Sequence, residues 1–197
     1  SLQNAADLIA VDTDYNVYTQ VAGVPKTTAL ITINEGTVSV SQDSTFSATT
    51  VTGGVSNAVL AKYSFKAFGE NVKVSYLDVE SSVNLDNVSI YVNGAPVTSN
   101  VNYTGSKLHF SLGSSLIIPA GQTVSVEVRG DTKVNGEKLT DNTNIKMTLV
   151  PYTNNAQGVS SSKMITVPSI KTEGQELTVG SGALTISKRS GVADSNI

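Results

Sequence analysis

The chain has 197 residues, 13 basic and 16 acidic side chains, a net charge of −3, no cysteine and no tryptophan. That length allows a real hydrophobic core, while the missing cysteine excludes disulfides and thiolate metal sites. No basic run offers a nucleic-acid footprint, and no apolar stretch approaches the roughly 18 residues of a membrane-spanning helix. Neither nucleic acid nor a membrane span is therefore expected.

Read in chain order, the pattern is one of alternation with period two, the mark of half-buried strands. Asp12-Thr13-Asp14-Tyr15-Asn16 comes first and has the D-x-D-x-N spacing of the opening ligands of a calcium loop. Val17 then stands where such a loop needs glycine, and no Glu follows at the twelfth position. Gly53-Gly54 reads as a joint. In Asn57–Phe68, Val59, Ala61, Tyr63, Phe65 and Ala67 share one face, and Lys62, Ser64 and Lys66 the other. Val72, Val74, Tyr76 and the run to Val79 continue the pattern. Val88, Ile90 and Val92 lead into Asn93-Gly94, a strong hairpin signal, and Val97–Tyr103 returns. Leu108, Phe110 and Leu112 line a further strand, which ends at Ile117-Ile118-Pro119-Ala120-Gly121. Val124, Val126 and Val128 form the next. Asn135-Gly136 marks another turn, Ile145–Val150 another strand, and Asn154–Lys163 a polar loop.

Many short strands with turn signals every 8–12 residues or so predict an all-β chain with an immunoglobulin-like antiparallel sandwich. A closed barrel is the competing solution. The expected division is 1–52 as a partial repeat unit, 53–152 as the sandwich, and 153–197 as a hairpin segment equivalent to the N-terminal block. Phe65, Tyr63, Val74, Ile90, Phe110, Val126 and Val128 are the expected interior.

That equivalence rests on an internal repeat. Ile31–Ser44 recurs at Leu177–Ser190, offset by 146 residues, with Thr32/Thr178, Gly36/Gly182, Ser41/Ser187 and Ser44/Ser190 identical. A weaker match, offset by 137, relates Leu8–Gln20 to Ile145–Gln157. Self-similarity over such distances is the signature of tandem arrays. The chain reads as starting inside one unit, running through another and stopping as a third begins.

Val59–Lys133, with its opening VLAKYSFKA and its segment SSLIIPAGQTVSVEVRGDTK, resembles repeat domains of secreted and S-layer-type bacterial surface proteins. In that family the element found here at Ile118–Thr123 precedes the strand that closes the sandwich. The resemblance implies an extracellular structural module and supplies no catalytic residues.

The remaining candidates are sparse. His109, the only histidine, lies between Leu108 and Phe110 and is expected to face solvent with Lys107 and Ser111. It is the only candidate for a histidine triad. Asp12, Asp14 and Asn16 are the metal candidates, with Ca²⁺ the one cofactor the sequence admits; Asp131, Glu137 and Asp141 form a similar looser cluster. Arg129-Gly130-Asp131 spells an adhesion tripeptide but closes a strand, where Gly and Asp are ordinary turn residues. Asn87-Val88-Ser89 and Asn102-Tyr103-Thr104 match the glycosylation acceptor pattern. Tyr15, Tyr18, Tyr63, Tyr76, Tyr91, Tyr103 and Tyr152 are glycan-stacking candidates, most of them read as core or cross-strand pairs. Lys62 and Lys66 point away from the aromatic face, unlike the buried lysines of isopeptide-bonded pilin domains. The expected function is non-catalytic: a structural subunit of a cell-surface assembly (S-layer, sheath or filament) that contacts copies of itself through its terminal strands. The alternative is a secreted adhesin or carbohydrate-binding module that takes surface glycans.

Overall fold

The computed structural model describes residues 10–19 and 35–181. The chain divides after Asn34 into two units, Ser1–Asn34 and Glu35–Ile197. In the first, β1 (Ala10–Asp12) and β2 (Val17–Thr19) form an antiparallel hairpin.

The second unit begins with β3 (Thr37–Gln42), β4 (Thr50–Thr52), β5 (Ala58–Phe68), β6 (Val72–Ser81) and β7 (Leu85–Val92). It continues through β8 (Ala95–Pro96), β9 (Val101–Tyr103), β10 (Leu108–Ile118), β11 (Thr123–Asp131), β12 (Lys133–Val134) and β13 (Glu137–Lys138). It closes with β14 (Asn144–Val150), β15 (Ala156–Gly158), β16 (Met164–Ile165) and β17 (Thr172–Gly180). The expected all-β class holds: among the described residues there are no helices, and strands make up 60%, far above the usual fraction of about 20–25%.

Two large sheets enclose one core. In the first, β3, β5, β11 and β7 lie in that order, and β8 and β9 pair with the outer edge of β7. In the second, β6 is central. β10 runs along one of its edges, and β14 and β15 share the other, since Val72–Val74 and Asp78–Val79 each have partners on both sides. β17 continues from β14, and β4 from β17. All these pairings are antiparallel except β17 with β4. The segment Thr37–Thr52 therefore changes sheets, with β3 on β5 and β4 on β17.

The expected interior residues are buried, Tyr63, Phe65, Val74, Ile90, Val126 and Val128 fully and Phe110 at 3% exposure. Both Asn-Gly turns have left-handed backbones at each residue, as a tight hairpin requires: φ is 48° and 82° at Asn93-Gly94, and 52° and 84° at Asn135-Gly136.

Four expectations are corrected. The anticipated boundaries at 52/53 and 152/153 fall inside the folded unit, because β3, β4, β15 and β17 are strands of its two sheets. Gly53-Gly54 is not a joint but a packed crossing: Gly53 N donates to Gly180 O at 3.1 Å and Gly54 N to Thr132 O at 3.0 Å. Alternation placed Val59 inside, yet Leu60 is the buried residue and Val59 only half-buried. The cause is a bulge: Val128 pairs with Ala61 but Arg129 with Val59, so Leu60 is the extra residue. Tyr76 leaves the apolar face where β6 passes from its β15 pairing to its β14 pairing, and the inward set resumes at Leu77 and Val79.

Asn154–Lys163 is also more than a polar loop. It contains β15, and the fully buried Asn155 ties the segment down. Its Nδ2 donates to Tyr76 O at 2.8 Å and to Val167 O, and its Oδ1 accepts from Val167 N at 2.7 Å.

One side chain bridges the layers through the core. Tyr63 Oη donates to Met147 O at 2.8 Å, from β5 to β14. Burial, with Glu173 adding to it, raises the phenol's pKa above its ordinary value. Tyr63→Phe leaves a buried carbonyl without its donor and should cost about 1–3 kcal/mol. Phe65→Ala should cost about 3–5 kcal/mol. Denaturant unfolding of both variants measures these losses, and a change below about 1 kcal/mol for Phe65→Ala would refute the assigned interior.

Candidate functional site

Two polar clusters stand out on the second unit. The first gathers on Glu70, in the tight connection between β5 and β6. Its carboxylate accepts from Gly36 N at 3.2 Å, Ser160 N at 2.6 Å, Ser161 N at 2.9 Å and Ser161 Oγ at 2.5 Å. Lys163 forms an ion pair with Glu35 beside it. One carboxylate thus fastens both the start of the unit and the loop after β15. The neighbours are shaped to let it in. A Cβ on Gly36 would stand 2.7 Å from Glu70 Cγ, and one on Gly158 would collide with the carboxylate itself.

Hydrogen bonds to the charged form, from the Ser161 hydroxyl first and then the Ser161, Ser160 and Gly36 amides, lower the Glu70 pKa to about 2. Nothing local in the sequence marks this cluster, since its members are joined only by folding.

The second cluster lies on the outer face of the β6/β10 pair. Asp78 sits between Leu77 and Val79 and points away from the core, yet its side chain is only 1% exposed. His109 and Lys107 cover it. His109 Nδ1 lies 2.6 Å from Asp78 Oδ1, a carboxylate oxygen that accepts. Asp78 Oδ2 has no well-aligned hydrogen bond; its charge is met by Lys107 Nζ at 2.6 Å. That close contact raises the Lys107 pKa.

Rings surround the pair. Tyr76 stacks on His109 with centroids 5.0 Å apart and planes 21° off parallel. Tyr152, following β14, tilts against both rings at 4.9 and 6.2 Å. Tyr76 and Tyr152 are 39% and 40% exposed. Adjacent exposed rings beside an ammonium can stack on the apolar face of a sugar or hold a planar ligand. The Asp78–His109 pair also has the orienting half of a hydrolytic triad. Among the described residues no Ser or Thr hydroxyl hydrogen-bonds to His109.

The sequence-predicted residues are distributed as follows. His109 faces outward as expected, but partnered. The D-x-D-x-N segment spans the hairpin turn of the first unit: Asp12 ends β1, and Asn16, at φ 51°, precedes β2. Asp131, Glu137 and Asp141 do not converge. Asp131 accepts from Asn57 N and Asn87 Nδ2, Asp141 pairs with Lys138, and Glu137 stands exposed in β13. The carboxylate serving that turn is Asp86, which accepts from Asn135 N and Gly136 N at 3.1 and 2.7 Å. Among the described residues no group of three or more His, Cys, Asp or Glu is placed to hold a metal ion.

Arg129-Gly130-Asp131 is part of β11. Arg129 pairs with Glu127 and lies over the Tyr91 ring at 4.2 Å, while Gly130 and Asp131 are buried. Asn87 and Asn102 both use their side chains in hydrogen bonds. Lys62 pairs with Glu127 and Lys66 lies over Phe68, both away from the core. Of the tyrosines, Tyr63 and Tyr103 are core, whereas Tyr15 and Tyr18 are 80% and 83% exposed. No helix among the described residues is long and apolar enough to cross a membrane. No protein-family model matches the chain, and no curated protein sequence matches it.

Two outcomes follow for Glu70. Because its folded pKa lies below the ordinary value of 4.5, its stabilisation is complete above that value and is lost as pH falls toward about 2. Melting temperature against pH should therefore fall more steeply over that window in the native protein than in Glu70→Gln. Gly36→Ala should lower the melting temperature in the native background and change it little in Glu70→Ala, where the colliding Cγ is gone. A double-mutant cycle reads that coupling.

Proposed function

We propose that this chain is a non-catalytic structural module, immunoglobulin-like in type, from an extracellular cell-surface assembly such as an S-layer, sheath or filament. The observation that carries the reading is the repeat of Ile31–Ser44 at Leu177–Ser190, whose first copy runs into β3 of the folded unit. Two features support the immunoglobulin-like reading. The segment Thr37–Thr52 changes sheets between β3 and β4, and β4 pairs in parallel with β17. The resemblance of Val59–Lys133 to surface-protein repeats agrees with both. Copies of the same protein are the proposed partners, met through the terminal segments. Ca²⁺ at Asp12, Asp14 and Asn16 is a proposed accessory, not the carrier of the function.

The second reading, an adhesin or carbohydrate-binding module, draws on the exposed rings of Tyr76, His109 and Tyr152.

Electron microscopy and sedimentation of the full chain, with and without Ca²⁺, separate the two. The structural reading expects ordered polymers that Ser1–Asn34 deletion abolishes while the melting transition of the second unit persists. A chain that stays monomeric at every concentration and calcium level overturns it. Glycan-array binding lost in Tyr76→Ala and Tyr152→Ala would then establish the second reading.

A further inference from the structure

The fold and the sequence repeat share one phase. The structural division falls between Asn34 and Glu35. Moved on by the repeat's offset of 146 residues, Asn34 becomes Gly180 and Glu35 becomes Ser181. Gly180 is the final residue of β17, the last strand among the described residues. Glu35–Gly180 thus spans one full offset, and the sequence after it, Ser181-Gly182-Ala183-Leu184, repeats the one that opens it, Glu35-Gly36-Thr37-Val38.

The identity of Gly36 with Gly182 has a physical reason. At Gly36 only the absence of a Cβ lets Glu70 reach the backbone. A repeat of the opening would need the same residue, and it has it.

The weaker match carries a third observation. At its offset of 137, Ala10–Asp12 corresponds to Met147–Leu149 and Val17–Thr19 to Asn154–Ala156. In the second unit Met147–Leu149 lies within β14, while Asn154–Ala156 leads into β15 and reaches it at Ala156; β14 and β15 both pair with β6. In the first they pair with each other as β1 and β2. The nine-residue difference between the offsets falls in the sequence between Gln157 and Leu177, which includes the exposed loop held by Glu70, a place where length varies at little cost.

We infer that Glu35–Gly180 is one complete period of a tandem array. Successive copies join directly at the Asn34–Glu35 and Gly180–Ser181 positions, and Glu70 seats the first residues of each copy. The partner at each junction is another copy of the same unit. The inference deepens the structural reading above.

The test is an in-phase duplication. A second copy of Glu35–Gly180 is inserted after Gly180 of the full chain, and a control inserts a second copy of Gly53–Tyr152 after Tyr152. The in-phase chain should melt in one transition within about 3 °C of the native protein, a shift of roughly 1 kcal/mol for a domain of this size. Limited proteolysis with mass spectrometry should release two resistant fragments of equal mass, bounded near the predicted junctions. The control should show an added low-temperature transition and rapid loss of its insert. Glu70→Ala in the second copy of the in-phase chain should raise amide exchange at that copy's Gly36, Ser160 and Ser161 and leave the first copy unchanged. An in-phase insert that is degraded, or an out-of-phase insert that folds equally well, overturns the inference. None of these three readouts involves polymerisation, so the failure of the assembly reading and the failure of this one are separately visible.

Discussion

The two sheets are joined through the core where Tyr63, Met147 and Gly174 meet, and the rest of the architecture is fitted around that contact. The phenol crosses from β5 to β14 and donates to a carbonyl. That bond is possible only because β17 is thin there: a Cβ on Gly174 would stand 2.7 Å from Ala61 Cβ and 2.8 Å from Tyr63 Oη. Both sides of the contact are bulged. β5 carries its extra residue at Leu60, and β17 slips against β14 between Lys146 and Thr148. Bulges add local twist, and here they bring one sheet's tyrosine to the other's backbone. The buried residues of both sheets form one continuous core around this point.

Much of this was legible in the sequence because it follows from period-two patterning and turn chemistry. The all-β class, the interior set and both Asn-Gly turns needed no tertiary information. The misses share a different origin. Leu60 and Val59 exchange roles because of a bulge, and Tyr76 leaves the apolar face where β6 changes partner; alternation cannot register either event. β3, β4, β15 and β17 fall outside the expected sandwich because the internal repeat set its limits at 53 and 152. Their membership depends on strands far away in sequence that they complete.

The polar clusters were still less visible. Asp78 reads as the outward residue between two inward ones, which it is. Its cover comes from His109 on the neighbouring strand and Lys107 just before it. Glu70 has the appearance of a turn residue, and its four donors come from two distant places in the chain, Gly36 and Ser160-Ser161. For such groups the informative sequence signal is indirect. An unexplained glycine such as Gly36 marks a position where something must come close, though the sequence does not say what.

The parallel pairing of β4 with β17 has a mechanical consequence. A pull applied at Glu35 and Gly180 enters near β3 and leaves from β17. Because β4 and β17 run in the same direction, those opposed forces lie along the strands and slide one past the other. The bonds at that seam, including Thr178 N to Thr49 O at 2.8 Å and Gly53 N to Gly180 O at 3.1 Å, are loaded together instead of being peeled one at a time. Resistance to such a load is governed by the barrier to unfolding, not by equilibrium stability. Under such a pull the β4–β17 seam would be sheared as a whole.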